Sequence, residues 1–178
     1  MKRIALIVLG VVAVSACAFA QDAPVETLAA PANLRDGATI VKWKSDFTYD
    51  TIKKGTNNLA CYDRSGFPEQ AAFSIECTNI GNLDRVAQNM KAEALGDKAK
   101  TAAMLDAEEK DGTRVKPVYG SVWYHAMGMD KDHVRMHMTI AVPGATTASI
   151  GLPDNPKAGG VWIMNAGTTT AHLMTPGE

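Results

Sequence analysis

A charge excess of either sign is missing from this sequence. Lysine and arginine number 18 against 19 acids, a formal charge of −1, and no stretch is strongly basic, which argues against a nucleic-acid partner. Long apolar runs are missing too. Beyond the N-terminus no segment approaches the ~20 apolar residues that a membrane-spanning helix takes. Internal repeats and low-complexity tracts are absent. So are the standard reaction signatures: a P-loop, a dinucleotide glycine fingerprint, H-E-x-x-H and the C-x-x-C-H haem attachment. Ser149 has Thr147 where a G-x-S-x-G elbow needs its first glycine. The sequence therefore offers no specific reaction.

What is present begins with a leader. Lys2 and Arg3 precede an apolar run from Ile4 to Val14, and Ala18-Phe19-Ala20 forms an A-x-A site. This is the pattern of a signal peptide over residues 1–20, which directs the chain to the periplasm or the medium. Val14-Ser15-Ala16-Cys17 also fits a lipoprotein box, in which an acylated Cys17 becomes the N-terminus and tethers the protein. Cleavage at Ala20 removes two positive charges and no acid, so the mature chain carries about −3. The remaining length suits one domain.

Cysteine is scarce. After cleavage only Cys61 and Cys77 remain, and an even pair in an oxidising compartment predicts a disulfide. Their spacing is too wide for C-x-x-C, and neither lies beside a histidine.

Residues 21–36, rich in alanine and proline, read as a tether or irregular lead-in. Strands are expected over 38–43, 47–52, 59–62, 120–127, 133–142, 161–164 and 171–174. Leu83, Val86, Ala87, Met90 and Ala94 recur at helical spacing behind Asn82, a candidate cap. Asp97 is placed to cap a second helix over 98–110, with Ala102, Met104 and Leu105 inward and Asp111-Gly112 as its stop. Asp106, Glu108 and Glu109 read as its solvated end. Strands, helices and strands in blocks predict one α+β domain over 37–178, a mainly antiparallel sheet with one or two helices on one face.

Scattered islands carry a resemblance: Gly55-Thr56-Asn57 with Cys61 and Cys77, His137 to Pro143, Gly151-Leu152-Pro153, Gly159-Gly160, Trp162-Ile163-Met164, Gly167-Thr168, and Ala171 to Met174. In these the chain resembles a family of small secreted bacterial proteins of unknown function. The resemblance implies a secreted, single-domain protein and assigns no activity. Between Cys77 and Val118 it carries little.

The sharpest chemical feature is a histidine and methionine cluster. His125, Met127, Met129, His133, Met136, His137 and Met138 lie close together, with His172 and Met174 near the end. Imidazoles with thioethers suit copper, and imidazoles alone suit zinc. The candidate ligands are His125, His133, His137 and His172 with a methionine. Strand alternation puts His133, Arg135, His137 and Thr139 on one face and Val134, Met136, Met138 and Ile140 on the other. That predicts core positions for Met136 and Met138. It also separates His133 from His137 by roughly 13 Å, at ~3.3 Å per residue, too far for both to hold one ion.

Three functional readings follow. The first is a non-enzymatic envelope domain that binds a ligand or partner through His137, His172 and Trp162. The second is a copper or other transition-metal binder. The third is a hydrolase of unrecognised type with His137 or His172 as general base.

Overall fold

Period-two alternation builds the middle of the sheet. In Phe73–Asn79, Phe73, Ile75 and Cys77 point to one face, while Ser74, Glu76 and Thr78 point to the other. Both sets are largely buried, because both faces of this strand are covered. The computed structural model describes residues 23–175. The leader, its A-x-A site and Cys17 lie outside the described residues.

The strands are β1 (Thr39–Trp43), β2 (Tyr49–Lys53), β3 (Leu59–Asp63), β4 (Phe73–Asn79), β5 (Val122–Gly128), β6 (Val134–Ala141), β7 (Trp162–Met164) and β8 (His172–Met174). The helices are α1 (Ala32–Arg35), α2 (Leu83–Glu93), α3 (Lys98–Asp111) and α4 (Thr147–Ile150). The strands form one sheet in the order β2-β1-β3-β4-β5-β6-β8-β7. Only β1 and β3 run parallel; the other neighbours are antiparallel. The α+β architecture matches the sequence expectation, although β4 was not among the expected strands.

One face is covered by α2, whose Leu83, Val86 and Met90 pack on Val41, Ala60 and Tyr62. The other carries Cys61, Ile75, Cys77 and Ala126 beneath Ala29, Ala30 and Ala38. Residues 21–36 thus do not run free where they are described. Val25–Thr27 is a 3-10 turn, Ala32–Arg35 is a helical turn, and the alanines between them are buried. A third cluster, Val142, Ala145, Ile163 and Ala171, holds the end of the chain. Cys61 and Cys77 are bonded and sit directly opposite each other on β3 and β4.

Several local expectations change. Asn82 stands at the N-cap position of α2, but its side chain makes no capping hydrogen bond. It is fully buried, donating to the Thr78 and Ser121 hydroxyls and accepting from the Val118 amide. Ala94 is exposed, one residue past the end of α2. Asp97 does cap α3, accepting from the Ala99 and Lys100 amides, and Gly112 ends that helix in the left-handed conformation. On α3, Ala102 is exposed and Thr101 is the buried residue, because the helix leans on α2 and bonds there to the Ala92 carbonyl. Glu108 and Glu109 are half-buried rather than solvated. Glu108 pairs with Arg114, and Glu109 accepts from the amide and hydroxyl of Thr169. Met136 and Met138 are 53% and 40% exposed rather than core. The N-terminal cover packs on β3 and β4 and, although Val134 of β6 packs against that cluster, leaves Met136 and Met138 open.

Candidate functional site

Strand register sets a row of polar side chains on the α2 face. Tyr62 pairs with Glu76, Glu76 with His125, and His125 with His137, across β3, β4, β5 and β6. Such opposite neighbours stand close enough for their side chains to touch. The Tyr62 hydroxyl donates to Glu76 Oε2 at 3.0 Å. Arg64 Nη1 approaches Glu76 Oε1 at 3.4 Å, and His125 Nδ1 lies 3.5 Å from the same oxygen. The rings of His125 and His137 are 6.0 Å apart between centroids.

Glu76 is 5% exposed. Burial by itself would raise its carboxyl group; the His125 hydrogen bond, the Arg64 guanidinium and the Tyr62 hydroxyl outweigh that and hold it below its ordinary 4.5. Arg64 also pairs with Glu93, whose carboxylate accepts from Gln70 as well. This end of the site is a closed ionic network: two carboxylates around one guanidinium. The Tyr62 phenol, buried beside Glu76, is pushed well above its ordinary value.

A cavity of about 410 Å³ opens between α2 and the sheet. Trp123, His125 and Met127 of β5, His137 of β6, His172 of β8 and Arg85 of α2 line it. Burial first, then His125, Arg135 and His172, lower the His137 imidazole below its ordinary 6.5. His172 Nδ1 lies 2.7 Å from the Thr170 carbonyl. A carbonyl only accepts, so that nitrogen carries the hydrogen, and Nε2 of the neutral ring keeps its lone pair.

The structure thus brings His125, His137 and His172 to one cavity and leaves two expected residues out. His133 lies in the exposed turn after β5, its Nδ1 2.8 Å from Asp130 Oδ1. Trp162 sits on β7 opposite Met174, away from the cavity; Trp123 supplies the aromatic wall instead. The residues that sequence reasoning missed are Glu76, Arg64 and Arg85. Glu76 had a signal: it precedes Cys77 in an alternating stretch and so lies on the face opposite the cysteine.

Chemically, Glu76 with His125 is a carboxylate–imidazole pair, whereas the sequence expectation for a hydrolase places the base at His137 or His172. Among the described residues no serine or threonine hydroxyl hydrogen-bonds to the ring of His125, His137 or His172, so the pair lacks an oriented nucleophile. Among the described residues no three His, Cys, Asp or Glu side chains are grouped so as to hold a metal ion. None of their helices is long and apolar enough to cross a membrane. No family model, no curated protein and no solved structure matches the chain.

Proposed function

We propose that this is an exported envelope protein that binds a small ligand, without transforming it, in the cavity between α2 and the sheet. One observation carries the reading: His125, His137 and His172, from three different strands, share this cavity with Trp123. Small-ligand sites combine an apolar wall with a few convergent polar groups. A purely structural histidine needs no such convergence. Export is supported by the leader at residues 1–20, by the Cys61–Cys77 bond and by the resemblance of its sequence islands to small secreted bacterial proteins.

The cavity is tested by filling it. Thr139 lines it directly opposite Trp123, and Thr139→Phe places a ring in the space. Small molecules that raise the melting temperature of the native chain should lose their effect on a folded Thr139→Phe variant. Binding that survives the filled cavity defeats the reading. Export is tested by mass spectrometry of the protein from its native host. A terminus at Gln21 or at an acylated Cys17 supports it; an intact Met1 with free thiols opposes it.

A second reading, copper or zinc binding, is favoured by the histidine orientations. His125 turns Nδ1 to Glu76 and His172 turns Nδ1 to a carbonyl. Those are the outer contacts that metal-ligating histidines make while offering Nε2 to the ion. Met127 adds a thioether to the same cavity. Gathering three rings on one ion requires them to rotate from their present positions. Loading with Cu(I) and Zn(II) followed by elemental analysis decides: about one equivalent supports this reading, and a trace removes it.

A further inference from the structure

The two ends of the cavity differ in how their cations are neutralised. Arg64, at one end, is held by Glu76 and Glu93. Arg85, at the other, is 4% exposed, and among the described residues no carboxylate forms an ion pair with it. The nearby acids are engaged elsewhere: Glu108 with Arg114, and Glu109 with the Thr169 amide and hydroxyl.

Arg85 is instead held by neutral oxygens. Nη1 donates to the Val115 carbonyl at 2.6 Å and to the Thr169 hydroxyl at 3.0 Å; Nη2 donates to the Thr170 hydroxyl at 2.6 Å. Those bonds use three of the five N–H groups of a guanidinium. The Nε–H and one Nη2–H keep no acceptor from the protein. A buried cation without a direct ion pair is costly, and the closest acid, Glu109, reaches Arg85 only through the Thr169 hydroxyl. Burial, then the neighbouring Arg114, depresses the guanidinium from 12.5 to about 10, and Glu109 and Glu108 only partly offset them. Thr170 joins this group to the histidines, since its carbonyl receives the His172 ring.

We propose that the ligand of this cavity carries a carboxylate that accepts from the free donors of Arg85, with an aromatic or apolar body against Trp123. The proposal rests on the cavity being a ligand site and names the chemistry of its occupant. Planar carboxylate and guanidinium groups match in geometry and charge. The opposite end would repel an anion, because Glu76 and Glu93 border it with one guanidinium between them. An anionic group is therefore directed to Arg85.

Three phenyl probes that differ in the charge of the head group test this on the oxidised chain: benzoate, benzamide and benzylamine, titrated while the backbone amides and the Arg85 Nε–Hε resonance are followed by NMR. Benzoate should bind at least ~10-fold more tightly than the other two, a difference of about 1.4 kcal/mol, and should move the Arg85 resonance. Arg85→Gln should abolish that preference, and Arg85→Lys should retain only part of it, the charge remaining without the fork. Equal binding of the three probes at the cavity keeps the site and overturns the carboxylate. Undiminished benzoate binding by Arg85→Gln overturns it as well. If no probe binds up to the order of 1 mM and no cavity resonance moves, the ligand site itself falls. Should Arg85→Gln fail to fold, the native titration decides alone.

Discussion

His125 Nδ1 lies 3.5 Å from Glu76 Oε1, between residues paired directly across β4 and β5. The contact joins two regions of the site. On one side of it is the closed network of Tyr62, Arg64, Glu76 and Glu93. On the other is the imidazole-lined cavity. Glu76 therefore has both a structural and a positioning part, and the two are separable by experiment.

Glu76→Gln keeps the shape and removes the charge. Arg64 then keeps only Glu93 as an anionic partner, and His125 loses its carboxylate. Breaking one member of a buried ionic network costs about 3 kcal/mol. The pH dependence has a definite sign. The folded carboxyl sits below its ordinary 4.5, so its contribution is full above that value and is lost as the pH falls through the folded value. Urea unfolding at pH 7 should show the drop, and the variant should lose less stability than the native chain on acidification. A variant as stable as the native chain at pH 7 contradicts the network.

His137 has the same sign of pH dependence by a different route. Its folded imidazole protonates at lower pH than the ordinary 6.5, chiefly because of burial. The unfolded chain takes up the proton first. Stability is thus undiminished above 6.5 and declines as the pH falls toward the folded value. NMR titration should place the His137 midpoint below 6.5, and His137→Gln should flatten the melting temperature between about pH 6.5 and 5. A midpoint at or above the ordinary value is the contrary result.

Cys61 and Cys77 close a loop with a sequence separation of 16, for which chain entropy gives about 3 kcal/mol. Cys61→Ala with Cys77→Ala should lower the stability at zero urea correspondingly and, by freeing the unfolded chain, should not lower the slope. Reductant should do the same to the native chain and nothing further to the double variant. An unchanged midpoint after the double substitution contradicts this.

Gly55 stands where the chain turns against residues 37–39. A Cβ there would lie 2.2 Å from the Gly37 carbonyl oxygen and 2.5 Å from the Thr39 nitrogen, both backbone atoms. That same carbonyl accepts from the Thr56 and Asn57 amides. Gly55→Ala should therefore cost about 3 kcal/mol or more, whereas Lys54→Ala at the exposed neighbouring position should be nearly neutral. Thermal melts of the two variants distinguish them, and equal effects refute the steric argument.

Much of this was legible in the sequence because it is encoded within a few residues. The α2 stripe, the Asp97 cap, the left-handed stop at Gly112 and seven of the strands follow from local periodicity and turn chemistry. The disulfide joins the two cysteines that lie beyond residue 20. β4 was legible but unread: its alternation is as regular as that of β6. Arg64 and Arg85 carried no such mark, since charged residues on a strand end or a helix read as solvated until a partner covers them. Met136 and Met138 erred the other way. Their face was assigned correctly, but which face is covered depends on how far the N-terminal segment reaches.

The sequence by itself determined which residues form strands and helices, which share a face, and that Cys61 and Cys77 are the two thiols beyond residue 20. Only the tertiary structure decided that β4 lies between β3 and β5, placing Glu76 against His125, and that β8 inserts beside β6, bringing His172 to the cavity of His137. The reason is the range of the forces involved. Side-chain period is fixed by the backbone over a few residues, whereas strand neighbours are chosen by hydrogen bonding and burial between segments far apart in the chain.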